Sequence, residues 1–257
     1  MPNTDFQSFE KRTKEVLNCL FNAAKEQNEF AYVFSLLGIN SGIEDAGWQP
    51  IAETYLLMRD FVAIANAPFH EHTKARLLLL CYTQITEANY LYHVIYNMLL
   101  SIENENLLKV FSFLNLYKNG IPPSVKSKVS IICEKSEKLR HQNIKDLLEN
   151  IFDYGIRNAI SHADYIIIYK DELRLKHKGS DIRIIKLDDV FDLVQRTIIF
   201  FEVFFKVSDA HRKSYSDGHA ISNRKNKKGQ NLASITLKVD PKIGLIGFQQ
   251  SDPLPTW

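Results

Sequence analysis

The side chains with most to offer chemically gather around Arg157. Asp153, Tyr154, Arg157, Asn158, Ser161 and His162 recur at i, i+1, i+4 and i+5, a spacing that sets them on one side of a helix. At roughly 100° per residue, Arg157 through His162 fall within an arc of about 140°, opposite an apolar face. A cation, an amide, a hydroxyl and an imidazole are offered together. Imidazole carries protons near neutral pH, and a planar, permanently charged guanidinium meets two oxygens of an anion at once. Asn158 and His162, four apart, are within reach of each other. Asp153 precedes Arg157 by four and is expected to steady it.

The run Arg157, Asn158, Ala159, Ile160, Ser161, His162 resembles the signature of the HEPN (higher eukaryotes and prokaryotes nucleotide-binding) family: an arginine, a polar neighbour, and a histidine at a fixed helical distance. The resemblance covers about Ile144 to Phe205, and the earlier helices only by type. It implies metal-independent endonucleolytic cleavage of RNA, with no cofactor, within toxin, abortive-infection (phage-defence) or RNA-processing systems, where an antitoxin or regulatory protein is a further partner. In such cleavage the RNA 2′-hydroxyl attacks the phosphate. His162 would move the proton, Arg157 would meet the equatorial oxygens of the phosphorane, and Asn158 would orient His162 or the phosphate. One helix carries one imidazole, whereas acid and base roles are better served by two. The resemblance therefore implies a homodimer whose signature helices pair across a two-fold axis to form a composite cleft. Tyr165 stands one residue away from a tyrosine that is modified in some members. A HEPN fold also persists as a non-catalytic RNA-binding, nucleotide-binding or dimerising module, and that reading stands beside the enzymatic one.

The elements that must position these residues follow from periodicity. Ile144, Leu147, Leu148, Ile151, Phe152, Ile156, Ala159, Ile160 and Ala163 repeat every three or four residues, which predicts one amphipathic helix over 144–163. A β-branched run at Tyr165 to Tyr169, alternation from Leu173 to Lys176 and a turn at Lys178 to Asp181 predict a small hairpin or three-stranded meander ending near Ile185. Asp188 or Asp189 can cap a last core helix reaching about Lys206. Upstream, Phe6 to Leu37 reads as one helix or two with a Gly38 stop, followed by loop chemistry over Ile39 to Gln49 and a helix from Pro50 to about Asn66. A buried helix is predicted from Lys74 to Ile102, apolar around nearly its whole circumference. Two shorter helices, Asn106 to Tyr117 and Pro122 to Lys138, complete the set. The fold class is mostly α: an antiparallel helical bundle with a small β insertion after the motif and a C-terminal hairpin.

Beyond Val207 the composition shifts. Arg212, Lys213, Arg224, Lys225, Lys227 and Lys228 face a single acid, Asp217, which predicts a flexible basic arm able to contact RNA. Ser234 to Val239 and Ile243 to Phe248 can form the terminal hairpin. The chain thus divides into a helical domain, 1–207, and an arm with hairpin, 208–257.

Composition narrows the alternatives. With 257 residues, 45% of them hydrophobic, the chain can fill a sizeable core. A net charge of +2 announces no global field for nucleic acid or membrane, so any basic footprint must be local. Cys19, Cys81 and Cys133 lie far apart, which argues against a disulfide framework or zinc knuckle and for a reducing, cytoplasmic compartment. No apolar run approaches a membrane span, and no glycine-rich phosphate loop is present. His70 and His72 flank Glu71 and read as a solvated helix start rather than a metal site. His93 and Asn97 read as a satisfied polar stripe, and Cys81 and Cys133 as core thiols.

Overall fold

The computed structural model describes residues 5–37, 50–103, 123–168, 171–176, 181–222 and 234–250. The predicted Gly38 stop, the loop over Ile39 to Gln49 and the helix over Asn106 to Tyr117 lie outside these residues.

The architecture is mostly helical with two small antiparallel sheets. Helices α1 (Phe6–Gln27) and α2 (Glu29–Leu36) meet at Asn28. Its side chain accepts from the Ala31 N–H at 3.1 Å and starts the second helix before the first has finished. After α3 (Pro50–Asn66) come α4 (Glu71–Thr86) and α5 (Asn89–Ile102). The single helix predicted over Lys74 to Ile102 is therefore two. In a continuous helix the Thr86 carbonyl would take the Tyr90 N–H, but here it takes the Tyr92 hydroxyl at 2.7 Å. The apolar circumference that suggested one fully buried helix is shared between two helices with different buried faces.

Helices α6 (Val125–Lys138), α7 (Gln142–Ile151) and α8 (Tyr154–Ser161) lead into a meander of β1 (Tyr165–Ile168), β2 (Glu172–Lys176) and β3 (Ile182–Lys186). Helix α9 (Leu187–Lys213) follows without a linker. Neither Asp188 nor Asp189 caps it. The cap position is Lys186, without a side-chain bond. The Leu187 N–H is taken by the Asp171 carbonyl at 2.8 Å, so the meander itself satisfies a donor that a side-chain cap would have served. The two aspartates lie in the first turn, where the helix dipole favours negative charge.

Helix α9 also runs beyond the predicted end at Lys206 to Lys213, so the boundary expected after Val207 falls inside a helix. Nor is the start of the basic segment a flexible arm. Arg212 donates from Nε to the Leu245 carbonyl at 3.1 Å, Lys213 pairs with Asp209, and buried Tyr215 donates to Glu29 at 2.9 Å. Strands β4 (Ala220–Ser222), β5 (Ser234–Asp240) and β6 (Gly244–Gln250) form the second sheet in the order β4-β5-β6. The predicted terminal hairpin is β5-β6. It turns over 241–243 and β6 opens at Gly244, whose φ of +80° and close approach to the Arg212 carbonyl leave no room for a Cβ.

One apolar core runs through α1, α4, α5, α7 and α9, with Leu17, Phe21, Leu79, Tyr82, Met98, Leu148 and Phe204 fully enclosed. Helix α9 packs against α1, α4 and α7, while the shorter motif helix α8 packs against α4 and β2. Among the described residues no helix is long and apolar enough to cross a membrane.

Candidate functional site

The predicted helix over 144–163 is broken where the site begins. Phe152 and Asp153 adopt extended backbone, with φ/ψ of −114°/116° and −118°/103°. Side chains of Asp153 and Tyr82 hold the break, with a further bond from Thr197 Oγ1 to the Ile151 carbonyl at 3.2 Å. Asp153 Oδ1 accepts from the Ile156 N–H at 3.0 Å and caps α8. The buried Tyr82 hydroxyl donates to the Ile151 carbonyl at 3.1 Å and accepts from the Asp153 N–H at 2.7 Å, replacing the helical bonds that the break removes. Tyr82 lies in an apolar stretch of α4, and nothing in the sequence marks it as the clamp.

Asp153 does not steady Arg157. Its carboxylate accepts both terminal nitrogens of Arg183 on β3, at 2.8 and 2.6 Å. Burial alone would push this carboxyl up. The hydrogen bonds from Arg183 and from the Ile156 and Gly155 backbone, with the charge of Arg183, hold it below the ordinary carboxylate range. Arg157 instead pairs with Glu87, at the C-terminal end of α4, and donates from Nη1 to Asn158 Oδ1 at 2.8 Å. Its Nε is buried and makes no hydrogen bond among the described residues.

His162 is the C-cap of α8 rather than a member of it, with φ/ψ of −105°/4°, and its ring is exposed. Ala163 follows at φ 57°. The Ala163 N–H reaches Ile160 O at 3.2 Å and the Asp164 N–H reaches Ala159 O at 2.8 Å. This pattern of paired bonds ends a helix around a left-handed residue, usually glycine. His162 is thereby set on a fixed, tightly turned corner between α8 and β1. Asn158 and Ser161 are exposed beside it. No side-chain hydrogen bond links His162 to Asn158 among the described residues, since the Asn158 oxygen serves Arg157.

The other predicted residues part company here. Tyr154 stacks on Phe152 with centroids 6.1 Å apart and lies below Lys126 of α6. Burial, then the neighbouring Cys133 and Glu149, push its hydroxyl up to about 12. Tyr165 is half-buried opposite Leu175, on the core side of the meander. Arg212 and Lys213 belong to α9, and Arg224, Lys225, Lys227 and Lys228 lie outside the described residues. Cys81 and Cys133 are buried core thiols, pushed up to about 12 and about 11 by burial first, which disfavours the nucleophilic thiolate. His70 stands at the N-cap position of α4 without a side-chain cap bond and faces His72 edge-on at 5.4 Å. Among the described residues no group of three or more His, Cys, Asp and Glu side chains is placed to hold a metal ion.

The arrangement that remains is an exposed imidazole at a helix end, an amide and a hydroxyl beside it, and a guanidinium whose charge is met by Glu87. It can exchange a proton with a bound group and, once Glu87 gives way, receive an anion. The chain matches no known family model, no curated protein and no solved structure.

Proposed function

We propose that this chain is a HEPN-type endoribonuclease, acting in the cytoplasm on RNA without a metal ion, as a toxin or phage-defence effector that a regulatory protein restrains. The observation that carries the reading is His162, exposed on the corner that ends α8, following Arg157 and Asn158 on that helix. In the proposed reaction the RNA 2′-hydroxyl attacks the adjacent phosphorus and the bond to the 5′-oxygen breaks, leaving a 2′,3′-cyclic phosphate. His162 takes the hydroxyl proton or gives one to the leaving oxygen. Arg157 leaves Glu87 for the equatorial oxygens, exchanging one anionic partner for another. The second imidazole comes from a second copy, with two α8 helices facing one another across a two-fold axis.

The test is digestion of transfer RNA and messenger RNA in EDTA. The wild-type protein should yield fragments with cyclic phosphate ends, and His162→Ala should yield none while its melting curve is unchanged. Cleavage that survives His162→Ala would defeat the reading.

The Arg157–Glu87 ion pair favours a second reading, in which the site binds RNA or a nucleotide without turnover. Loss of RNA binding in Arg157→Ala, with no cleavage by any variant, would select it.

A further inference from the structure

The outer face of the meander is apolar and cationic, and its open edge belongs to the same residues. Register sets Ile166, Arg174 and Ile184 in one row across the three strands, with Lys176 beside Ile182 and Glu172 between Ile168 and Lys186. Residues directly opposite share a face, so four isoleucines and three cations lie on one side. Leu173 and Leu175 are buried on the other. Ile166, Ile182 and Ile184 are 58%, 62% and 55% exposed. An apolar set of this size, grouped on one small sheet, is unlike singly scattered surface residues. The one acid on this face, Glu172, is engaged by Arg174 at 3.2 Å, which leaves Lys176 and Lys186 as positive charge with no ion pair among the described residues.

The hydrogen-bond alternation adds the decisive point. The Leu187 N–H bonds to Asp171 O, so in this antiparallel register Leu173 with Ile185 and Leu175 with Arg183 are the bonded pairs. Ile182, Ile184 and Lys186 then direct their backbone N–H and C=O groups away from β2, toward an edge with no further strand among the described residues. Four of the five β3 residues are exposed. Arg183, whose charge would otherwise guard the edge, is turned inward onto Asp153.

We infer that β3 is a docking edge for an extended, acidic segment of another protein. The segment adds to the sheet as a fourth strand, bonds to the outward backbone of Ile182 and Ile184, lays β-branched side chains on the isoleucine face and sets its carboxylates against Lys176 and Lys186. Charge complementarity selects this occupant. A second copy laid face to face would oppose these lysines to their own counterparts, and a nucleic-acid strand would find four aliphatic side chains where stacking calls for aromatic rings. The inference does not rest on the nuclease reading, because its readout is peptide binding and not RNA cleavage.

The test is fluorescence anisotropy at low ionic strength with a labelled synthetic peptide of repeating Val-Thr-Glu-Thr, which sets valine and glutamate in turn along one face of a strand, and a control peptide of repeating Val-Thr-Lys-Thr. The acidic peptide should bind at least about tenfold more tightly than the control. Ile184→Pro removes an outward N–H but no β2–β3 bond, and should weaken the acidic peptide about tenfold more than Ile184→Ala does. If Ile184→Pro lowers the melting temperature, the exposed double change Lys176→Glu, Lys186→Glu decides, and should reverse the preference between the peptides. Equal binding of the two peptides, or no effect from these variants, would overturn the inference. So would displacement of the acidic peptide by polyuridylate, or a concentration-dependent dimer that Ile184→Pro abolishes; these outcomes would assign the face to nucleic acid or to a second copy.

Discussion

Arg183 grips Asp153 with both terminal nitrogens while the same carboxylate caps α8. One side chain thus joins the middle of β3 to the start of the helix that carries Arg157. The meander and the motif helix are held as a unit by a bond between residues 30 positions apart. Truncating Asp153 to alanine removes the cap and leaves Arg183 without its partner, and should destabilise the fold by about 1–3 kcal/mol in urea denaturation. Arg183→Ala should cost less, since its side chain is half exposed and water can replace it at the carboxylate.

The same carboxyl makes a pH prediction. Its folded pKa is lowered, so its contribution is complete above the unfolded value of about 3.9 and disappears as pH falls through the lower folded value. Asp153→Asn should flatten the acid limb of the stability profile below about pH 4. An unchanged limb would show that the carboxylate is not held as described.

His211 gives a second limb with the opposite charge type. Asn18 Oδ1, 3.2 Å from Nε2, can only accept, so Nε2 carries the hydrogen and Nδ1 accepts from the Tyr32 hydroxyl at 2.8 Å. Burial first, then the charge of Lys25, lower this imidazole's pKa. Below the unfolded value of about 6.5 the unfolded chain takes up a proton that the folded one resists. Stability should therefore be full above about pH 6.5 and decline below it. In His211→Gln the melting temperature should fall less over that interval, with His141, also lowered by burial, supplying the residue of the slope.

Ala163 occupies a left-handed position that glycine fills without steric cost. Ala163→Gly should raise stability by about 0.5–1 kcal/mol, the relief of strain exceeding the entropy added to the unfolded chain. Ala163→Val should lower it, and urea midpoints for the two variants would show the opposed signs.

Glu87 and an RNA phosphate compete for Arg157 in the proposed function. Replacing Glu87 by glutamine should tighten RNA binding on the order of fivefold at fixed low salt, equivalent to the ~1 kcal/mol of a nearby exposed charge. Anisotropy with a short labelled RNA would measure it, and equal affinities would show that the ion pair does not gate the anion site.

Much of the fold was legible because burial repeats with the period of the element that produces it. The meander, the Pro50–Asn66 helix and the terminal hairpin stand where alternation, proline and turn residues put them. The errors share a cause. Phe152–Asp153 and Glu87–Ala88 interrupt stretches whose side chains are compatible with unbroken helix. The breaks are held from a distance, by Tyr82 at Ile151 and Asp153 and by Tyr92 at Thr86. The basic composition after Val207 likewise suggested an arm, while Tyr215 and Arg212 are fastened by Glu29 and a β6 carbonyl.

By itself the sequence determined that Arg157, Asn158 and His162 share one short polar stretch, because local spacing decides what a helical turn can present. Only the tertiary structure decided which partners these groups have. The carboxylate four residues before Arg157 turns to Arg183 and the one that meets Arg157 comes from Glu87 at the C-cap of α4, since ion pairs form between whatever charges folding brings together, whatever their separation along the chain.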